Sequence, residues 1–573
     1  MKRLLSIVGL ALSLLASCSG TKEIELRIIH TTDTHGNLFP YDYINQQEGT
    51  GSMARFATLM QQVRQDSKHV LLLDGGDILQ GEPITYYSNY IDTLRTNAVA
   101  VAMNYLAYDA TTIGNHDIEP GHATYDRFVR DAKFPVLGAN VINTATDEPY
   151  FVPYKVFEQG GARIVVLGLT TPAIPQWLPE HLWSGMRFDD IIESAKQWVP
   201  RLQREEKPDL LVAMIHSGLS NDNADYLENA GETLATAVPG IDLILMGHDH
   251  RQTNKWVRRS DMDSVLLVNA ANHLDWASDI RIKLYKDGDK VTRRELSATF
   301  ADVNACAVDT AYLRLMADYD SGVRAFLGKR VGILQEEAKA SDALVGASNY
   351  LALVHQMQLA TVGADISFAA PLNITANLPS GDVYVRDLFK WCPFSNHLYA
   401  MELTGAEVKG YLEHSYAGWA NEMKSAEERL IAMRPDAKAS DRYKTAVPTY
   451  NFSSAYGIDY TVDVSKPAGH RIQVSQMSNG QPFSLTKTYR VAINSYRAGG
   501  AGGMLTEGAG IAKADLRKRI VASSEYDQFF SLMRYIEAKG VVSVGAANNW
   551  QFVPRAWAEP AGRRDIDFIL GTK

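Results

Sequence analysis

Ile24-Glu25-Leu26-Arg27-Ile28-Ile29-His30-Thr31-Thr32-Asp33-Thr34-His35 is the stretch on which the reading of this chain turns. Its apolar run, 24–29, reads as a strand, and the polar tail places Asp33 and His35 two residues apart. At that spacing on an extended strand end both side chains point the same way and can bind one ion. Four further motifs follow in order: Gly75-Gly76-Asp77, Gly114-Asn115-His116-Asp117, His216, and Gly247-His248-Asp249-His250. Most stand directly after apolar runs that read as strands, at 70–73, 210–215 and 241–246, with another strand at 163–168. Stretches of helical periodicity at 54–64, 123–131 and 191–203 separate them, so that 24–284 alternates strand and helix. Continuous apolar strands belong to sheets covered on both faces, and sites in such sheets form where loops leave the carboxyl ends of the strands.

Asp, His and Asn bind borderline divalent cations, and this set is large enough for two ions. Asp33, His35 and His250 would serve the first; Asn115, His216 and His248 would complete the second; Asp77, with two carboxylate oxygens, can bridge them. His116 is left beside the ions, able to protonate a leaving oxygen or stabilise phosphoryl charge. A two-metal centre lowers the pKa of water and clamps both oxygens of a phosphoester displacement. Taken singly, Gly-Gly-Asp is usually a turn and a lone His a satisfied core residue; the order of five such signals at strand ends points to a metallophosphoesterase. His122, His273, His355 and His414 lack such support and read as structural or surface residues.

A chain of 573 residues needs two or three domains. Its net charge of −9 offers no basic field for a nucleic-acid polymer, so a nucleotide substrate would be small. Residues 1–18 read as an export signal: Lys2 and Arg3, an apolar stretch too short to span a bilayer, then Leu15-Ala16-Ser17-Cys18, which is similar to a bacterial lipobox with Cys18 as the lipidated residue. The expectation is a cell-envelope lipoprotein, periplasmic or on the surface, monomeric, and touching membrane only through its lipid. Cys306 and Cys392 remain, too few for a disulfide framework.

The phosphoesterase domain is placed at 24–340, an inter-domain helix at 341–362 and a second α/β domain at 363–568. Strands are expected at 366–370, 398–403, 460–464 and 489–493, and helices at 405–414 and 524–538.

The five motifs resemble those of the calcineurin-like metallophosphoesterases, and within them the bacterial 5′-nucleotidase family. That resemblance implies an N-terminal four-layer α/β/β/α domain joined by a helix to a C-terminal α/β nucleotide-binding domain. It implies Asp33, His35, Asp77, Asn115, His216, His248 and His250 as ligands of two divalent ions, Zn, Mn or Co. His116 would be catalytic, paired with Glu119 where an Asp is more usual; Asp117 is the nearer acid in sequence. Finer similarity, in Asp77-Ile78-Leu79-Gln80-Gly81, Gly168-Leu169-Thr170-Thr171-Pro172 and Asn494-Ser495-Tyr496-Arg497-Ala498-Gly499-Gly500, is to the branch acting on 2′,3′-cyclic nucleotides and 3′-nucleotides. The family stacks the base between two aromatic rings, which here would be Tyr496 and Phe394, the latter preferred to Trp391. Two features depart from 5′-nucleotidases: Ala370-Pro371-Leu372-Asn373-Ile374-Thr375 has no arginine, and the Asp that would hold ribose hydroxyls falls at Gly502. The expected function is hydrolysis of small nucleotide phosphoesters to nucleoside and phosphate for salvage. A 5′-nucleotidase or UDP-sugar hydrolase, and a non-catalytic nucleotide-binding surface protein, are the rivals.

Overall fold

The computed structural model describes residues 21–220, 227–260, 263–438, 441, 444–545 and 548–571; the export signal and Cys18 lie outside them. Two six-stranded sheets form the N-terminal domain. The first runs Lys290–Asp302, Trp276–Asp287, Lys22–Thr31, Val70–Asp74, Ala110–Thr112, Val136–Leu137. The second runs Thr253–Ser260, Asp263–Asn269, Leu243–Met246, Leu210–His216, Ala162–Thr170, Tyr154–Gln159. Ile28, Leu71 and Leu73 of the first sheet share one core with Val166, Val212 and Leu245 of the second. Helices Met53–Asp66, Ala98–Leu106 and His122–Asp131 belong to the core on the first sheet's outer side, and Ile191–Glu205 and Gly231–Ala237 to that of the second. The layers are therefore α/β/β/α. A strand covered on both faces has no polar side, which is why Leu210–His216 is buried at every position.

The parallel strands, paired Ile28 to Leu71 and Val212 to Leu243, end together and deliver their loops to one edge. Helix starts carry their caps: the Asp190 side chain accepts from the Ile192 and Glu193 amides, a contact worth about 1 kcal/mol.

The expected inter-domain helix lies elsewhere. The chain passes to the second domain through Thr310–Leu327, whose buried Tyr312, Met316, Tyr319 and Val323 follow helical spacing against the N-terminal helices. Residues 341–362 instead hold a 3-10 turn, Ala340–Leu344, and the Ser348-capped helix Asn349–Val362, packed on the C-terminal sheet. That helix is buried on nearly all sides, and periodicity alone cannot say which layer covers an apolar helix.

The C-terminal domain is built on a five-stranded sheet ordered Ser454–Tyr456, Ile366–Ala369, Thr488–Asn494, His397–Thr404, Ile520–Asp527. The helix expected over 524–538 starts at Gln528, because 520–527 pairs as an edge strand with His397–Thr404 and Asp527 caps the helix. Cys306 and Cys392 are both free thiols. Among the described residues, no helix is long and apolar enough to cross a membrane.

Candidate metal centre

Six side chains from both sheets meet in two groups, Asp33 with His35 and His250, and Asp77 with His216 and His248. Within each group the donor atoms all lie within 4.8 Å of one another. His250 Nε2 stands 3.3 Å from Asp33 Oδ1 and 3.1 Å from His35 Nε2. His216 Nε2 stands 3.1 Å from Asp77 Oδ2, and Asn115 Oδ1 lies 3.1 Å from His216 Nε2 and 2.9 Å from His248 Nδ1. All seven predicted ligand residues thus converge on one cluster.

The backbone is bent to achieve this. Asp33 (φ 50°), His35 (47°), Asp77 (57°), His248 (77°) and His250 (55°) all occupy the left-handed region. That conformation costs a non-glycine residue roughly 1–2 kcal/mol and is retained mainly at functional sites. The motif glycines let the strained loops stack: Gly76 has φ 89°, and a Cβ there would lie 2.7 Å from the Gly114 nitrogen.

Outer hydrogen bonds set the imidazole orientations. His216 Nδ1 donates to the Gly75 carbonyl at 2.7 Å and His35 Nδ1 to the Gln80 carbonyl at 3.1 Å. His248 Nε2 donates to Glu228 Oε1 at 2.9 Å. In each ring the remaining nitrogen faces the cluster, the arrangement of metal-ligating histidines. The donor set fits divalent cations on its chemistry: nitrogen and oxygen atoms with two carboxylates, Asp33 and Asp77, that are 0% and 1% exposed and would be costly to bury without positive charge. In the protein alone that charge is supplied by protons. Burial works against ionisation of Asp77, yet His216, His116 and His35 hold it well below the usual carboxylate range. Burial likewise opposes the His216 imidazolium, but Asp77 and Asp33 carry it up to about 10. A cation entering this group would displace that proton.

His116 stands at the rim, its side chain 37% exposed and its ring 5.4 Å from that of His35. Its Nδ1 lies 2.5 Å from Glu119 Oε2, and Glu119 is buried. Burial opposes the imidazolium here too, while Asp77 and Glu119 lift it to about 9. Asp117 is not the partner. Its carboxylate accepts from the backbone amides of Asp77, Ile78, Leu79 and Gly114, tying two site loops together. One turn of helix, Asn115–Ile118, sets this outcome, because the carboxylate at its third position turns back to the helix start.

Two C-terminal loops reach this edge. Phe394, 48% exposed, lines a cleft with Gln80, Tyr86, Tyr90, Asp527 and Phe529, and Gln80 Nε2 donates to the neighbouring Ser395 at 3.3 Å. Trp391 is core, 1% exposed with its indole N–H donating to the Ala376 carbonyl. Tyr496, 37% exposed, meets Tyr450 edge-on at 6.3 Å, and its loop abuts the N-terminal domain at Gln176.

Residues 26–252 match the calcineurin-like phosphoesterase family model, and residues 330–507 match that of the 5′-nucleotidase C-terminal domain. The chain is a calcineurin-like phosphoesterase with a 5′-nucleotidase C-terminal domain. It is 26% identical to a 2′,3′-cyclic-nucleotide 2′-phosphodiesterase/3′-nucleotidase from Yersinia enterocolitica, over 96% of this chain and 91% of that protein. It is 28% identical to the trifunctional nucleotide phosphoesterase YfkN of Bacillus subtilis over 94% of this chain, which spans 39% of that longer protein. In fold it is similar to a putative 5′-nucleotidase from Staphylococcus aureus solved with alpha-ketoglutarate, with a TM-score of 0.74, 22% identity, and coverage of 92% of this chain and 100% of that one. The family implies divalent metal ions, for which the two donor groups are the candidate sites.

Several residues around the site carried no sequence signal. Glu228, twelve positions after His216 in a polar stretch, anchors His248. Trp177 stacks on His248, with ring centroids 5.6 Å apart. His273, read as structural or surface, stands 5.6 Å from His35 with φ 54°. At Gly502 (φ 76°) a Cβ would run into the Arg497 guanidinium. Arg497 fills that space while donating to the carbonyls of Ala501 and Tyr450, so a side chain at 502 would have to displace its guanidinium.

Proposed function

We propose that this enzyme hydrolyses small nucleotide phosphoesters, with 2′,3′-cyclic nucleotides and 3′-nucleotides favoured, to nucleoside and phosphate. The observation that carries this reading is the pair of donor groups sharing their loops with an exposed His116 held by Glu119. Asp33, His35 and His250 would hold one divalent ion and Asp77, Asn115, His216 and His248 the other, with Zn²⁺, Mn²⁺ or Co²⁺ matching the donors. Bound there, two such ions supply Lewis acidity that activates water and offsets phosphoryl charge. Water adds to phosphorus as the bond to the ribose oxygen breaks, and His116 gives that oxygen its Nε2 proton. Glu119, on Nδ1, fixes the ring and favours the protonated form that can make this transfer. A cyclic diester passes through this sequence twice, the second time as a monoester.

Preference for phosphate at the 2′ or 3′ position rests on Gly502. A carboxylate at that position would repel a ribose carrying its phosphate there, and the Arg497-filled loop has none. Phosphate release from a panel of 2′,3′-cyclic, 3′- and 5′-nucleotides tests the reading; a preference for 5′-nucleotides overturns it in favour of a 5′-nucleotidase.

Phe394 and Tyr496 would stack the base. Tyr496→Ala is expected to lower kcat/KM for nucleotides about tenfold to a hundredfold, the roughly 1–3 kcal/mol of one stacked ring. A small aryl phosphate ester, having no base to stack, should change little. An equal loss on both substrates would remove Tyr496 from the base site.

The N-terminal signal fits an envelope lipoprotein acylated at Cys18, outside the described residues. Cys18→Ser should move the protein from the detergent phase to the aqueous phase or leave it uncleaved, since acyl chains contribute about 0.8 kcal/mol per buried CH₂. Wild-type protein found wholly in the aqueous phase would refute the anchor.

A further inference from the structure

Trp177 closes a single helical turn, Ile174–Trp177, that follows the strand Ala162–Thr170. Its indole lies against the His248 imidazole at 5.6 Å, with the planes 23° apart. Offset stacking at this separation is an attractive geometry for aromatic rings. His248 needs an external guide. Its backbone is in the left-handed region, and its ring must turn Nδ1 to Asn115 while Nε2 reaches Glu228. The imidazole turns about its Cβ–Cγ bond, and a ring stacked on its face limits that turning.

The other side of the same segment is gripped by the C-terminal domain. A Cβ on Gly499, in the loop that carries Tyr496, would lie 2.6 Å from the Gln176 carbonyl oxygen, so backbone rests on backbone. Arg517 Nη2 donates to the Leu178 carbonyl at 3.5 Å, and its guanidinium stands 5.5 Å over the Trp183 ring. His397 meets His181 edge-on at 5.7 Å. Residues 176–183 thus touch a candidate metal ligand on one side and three C-terminal segments on the other.

We propose that Trp177 is a positioning residue for the second metal group, and that the Gly499 loop seats it through Gln176. Cation affinity at Asp77, Asn115, His216 and His248 then depends on how the C-terminal domain rests on this segment. The inference builds on the reading that the two groups hold cations, and it extends to residues that touch neither cation nor substrate.

The test uses the full chain loaded with Mn²⁺ and dialysed against graded chelator, measuring Mn²⁺ per chain alongside kcat and KM. Wild type holding no Mn²⁺ would sink the underlying reading and leave the role of Trp177 without meaning. With two ions in wild type, Trp177→Ala should release one of them at a chelator activity about tenfold to a hundredfold lower, the usual effect of losing an outer-shell partner. The ion on Asp33, His35 and His250 should stay, and kcat should fall more than KM rises. Trp177→Phe, which keeps a ring on the imidazole, should recover part of the affinity. Gly499→Ala is the second variant: Gly499 has φ −72°, so alanine strains only the contact with Gln176. It should weaken the same ion although its own atoms touch no ligand. Retention of both ions at wild-type affinity in Trp177→Ala and Gly499→Ala overturns the proposal, as does loss of both ions together in Trp177→Ala.

Discussion

Asp77→Ala is expected to abolish turnover by emptying the metal centre. Asp77 is 1% exposed and stands beside His216 and His116, whose positive charge it balances. No neighbouring side chain can replace it: Asp117 spends its oxygens on backbone amides, and Asp33 belongs to the other group. Two cations held close together repel strongly in a poorly solvated site, and a carboxylate between them is the main offset. The substitution also frees the His116 amide, which donates to Asp77 Oδ1 at 2.8 Å, so it loosens the neighbouring loop. Asp77→Asn separates the two effects, because an amide oxygen can still accept from that N–H while carrying no charge. Metal content of the purified variants, read by atomic emission, decides the matter. Two ions retained by Asp77→Ala would refute its role, and metal loss in both variants would assign the effect to charge.

His116→Asn should leave both ions in place and lower kcat by about 10²–10⁴, the size of a lost general acid or base. His116 is no member of either donor group, and its ring is exposed at the rim where a leaving oxygen would sit. Glu119→Gln should cost less, since the amide oxygen can still accept from Nδ1 and hold the ring. The direction of its pH effect follows from charge. Asp77 and Glu119 raise His116 to about 9 in the protein without cations, and loss of the Glu119 charge lowers it. The alkaline limb of kcat, where the protonated acid is lost, should therefore move to lower pH in Glu119→Gln. Two bound cations would lower both limbs together without changing that order. An emptied metal site in His116→Asn, or an alkaline limb unmoved in Glu119→Gln, would break the assignment.

The fate of the two acids after His116 marks how far sequence reaches. Asp117 is the nearer acid in sequence, but successive helical residues do not face each other, whereas Glu119, three residues on, lies beside the same ring. Packing chose between them: the amides of 77–79 sit under the helix start and claim Asp117, which leaves Glu119 to the imidazole. Phe394 and Trp391, three residues apart, were separated by the same means, one exposed at a cleft rim and the other bonded into the core.

Local order brings the candidate metal-binding residues together. Short apolar runs bounded by turn residues fit strands buried between two layers, and the loops at their ends meet at one edge. Asp33, His35, Asp77, Asn115, His216, His248 and His250 therefore had few places to go but one edge. The inner strands Ala162–Thr170 and Leu210–His216 were legible for the same reason, since burial on both faces writes itself into consecutive residues. Contacts between distant segments leave no such trace. Glu228 on His248, Trp177 on the same ring, Arg497 in the space at Gly502, and Thr310–Leu327 rather than 341–362 as the connecting helix were all decided by tertiary packing. Periodicity reports that a face is covered, and only the folded chain specifies what covers it.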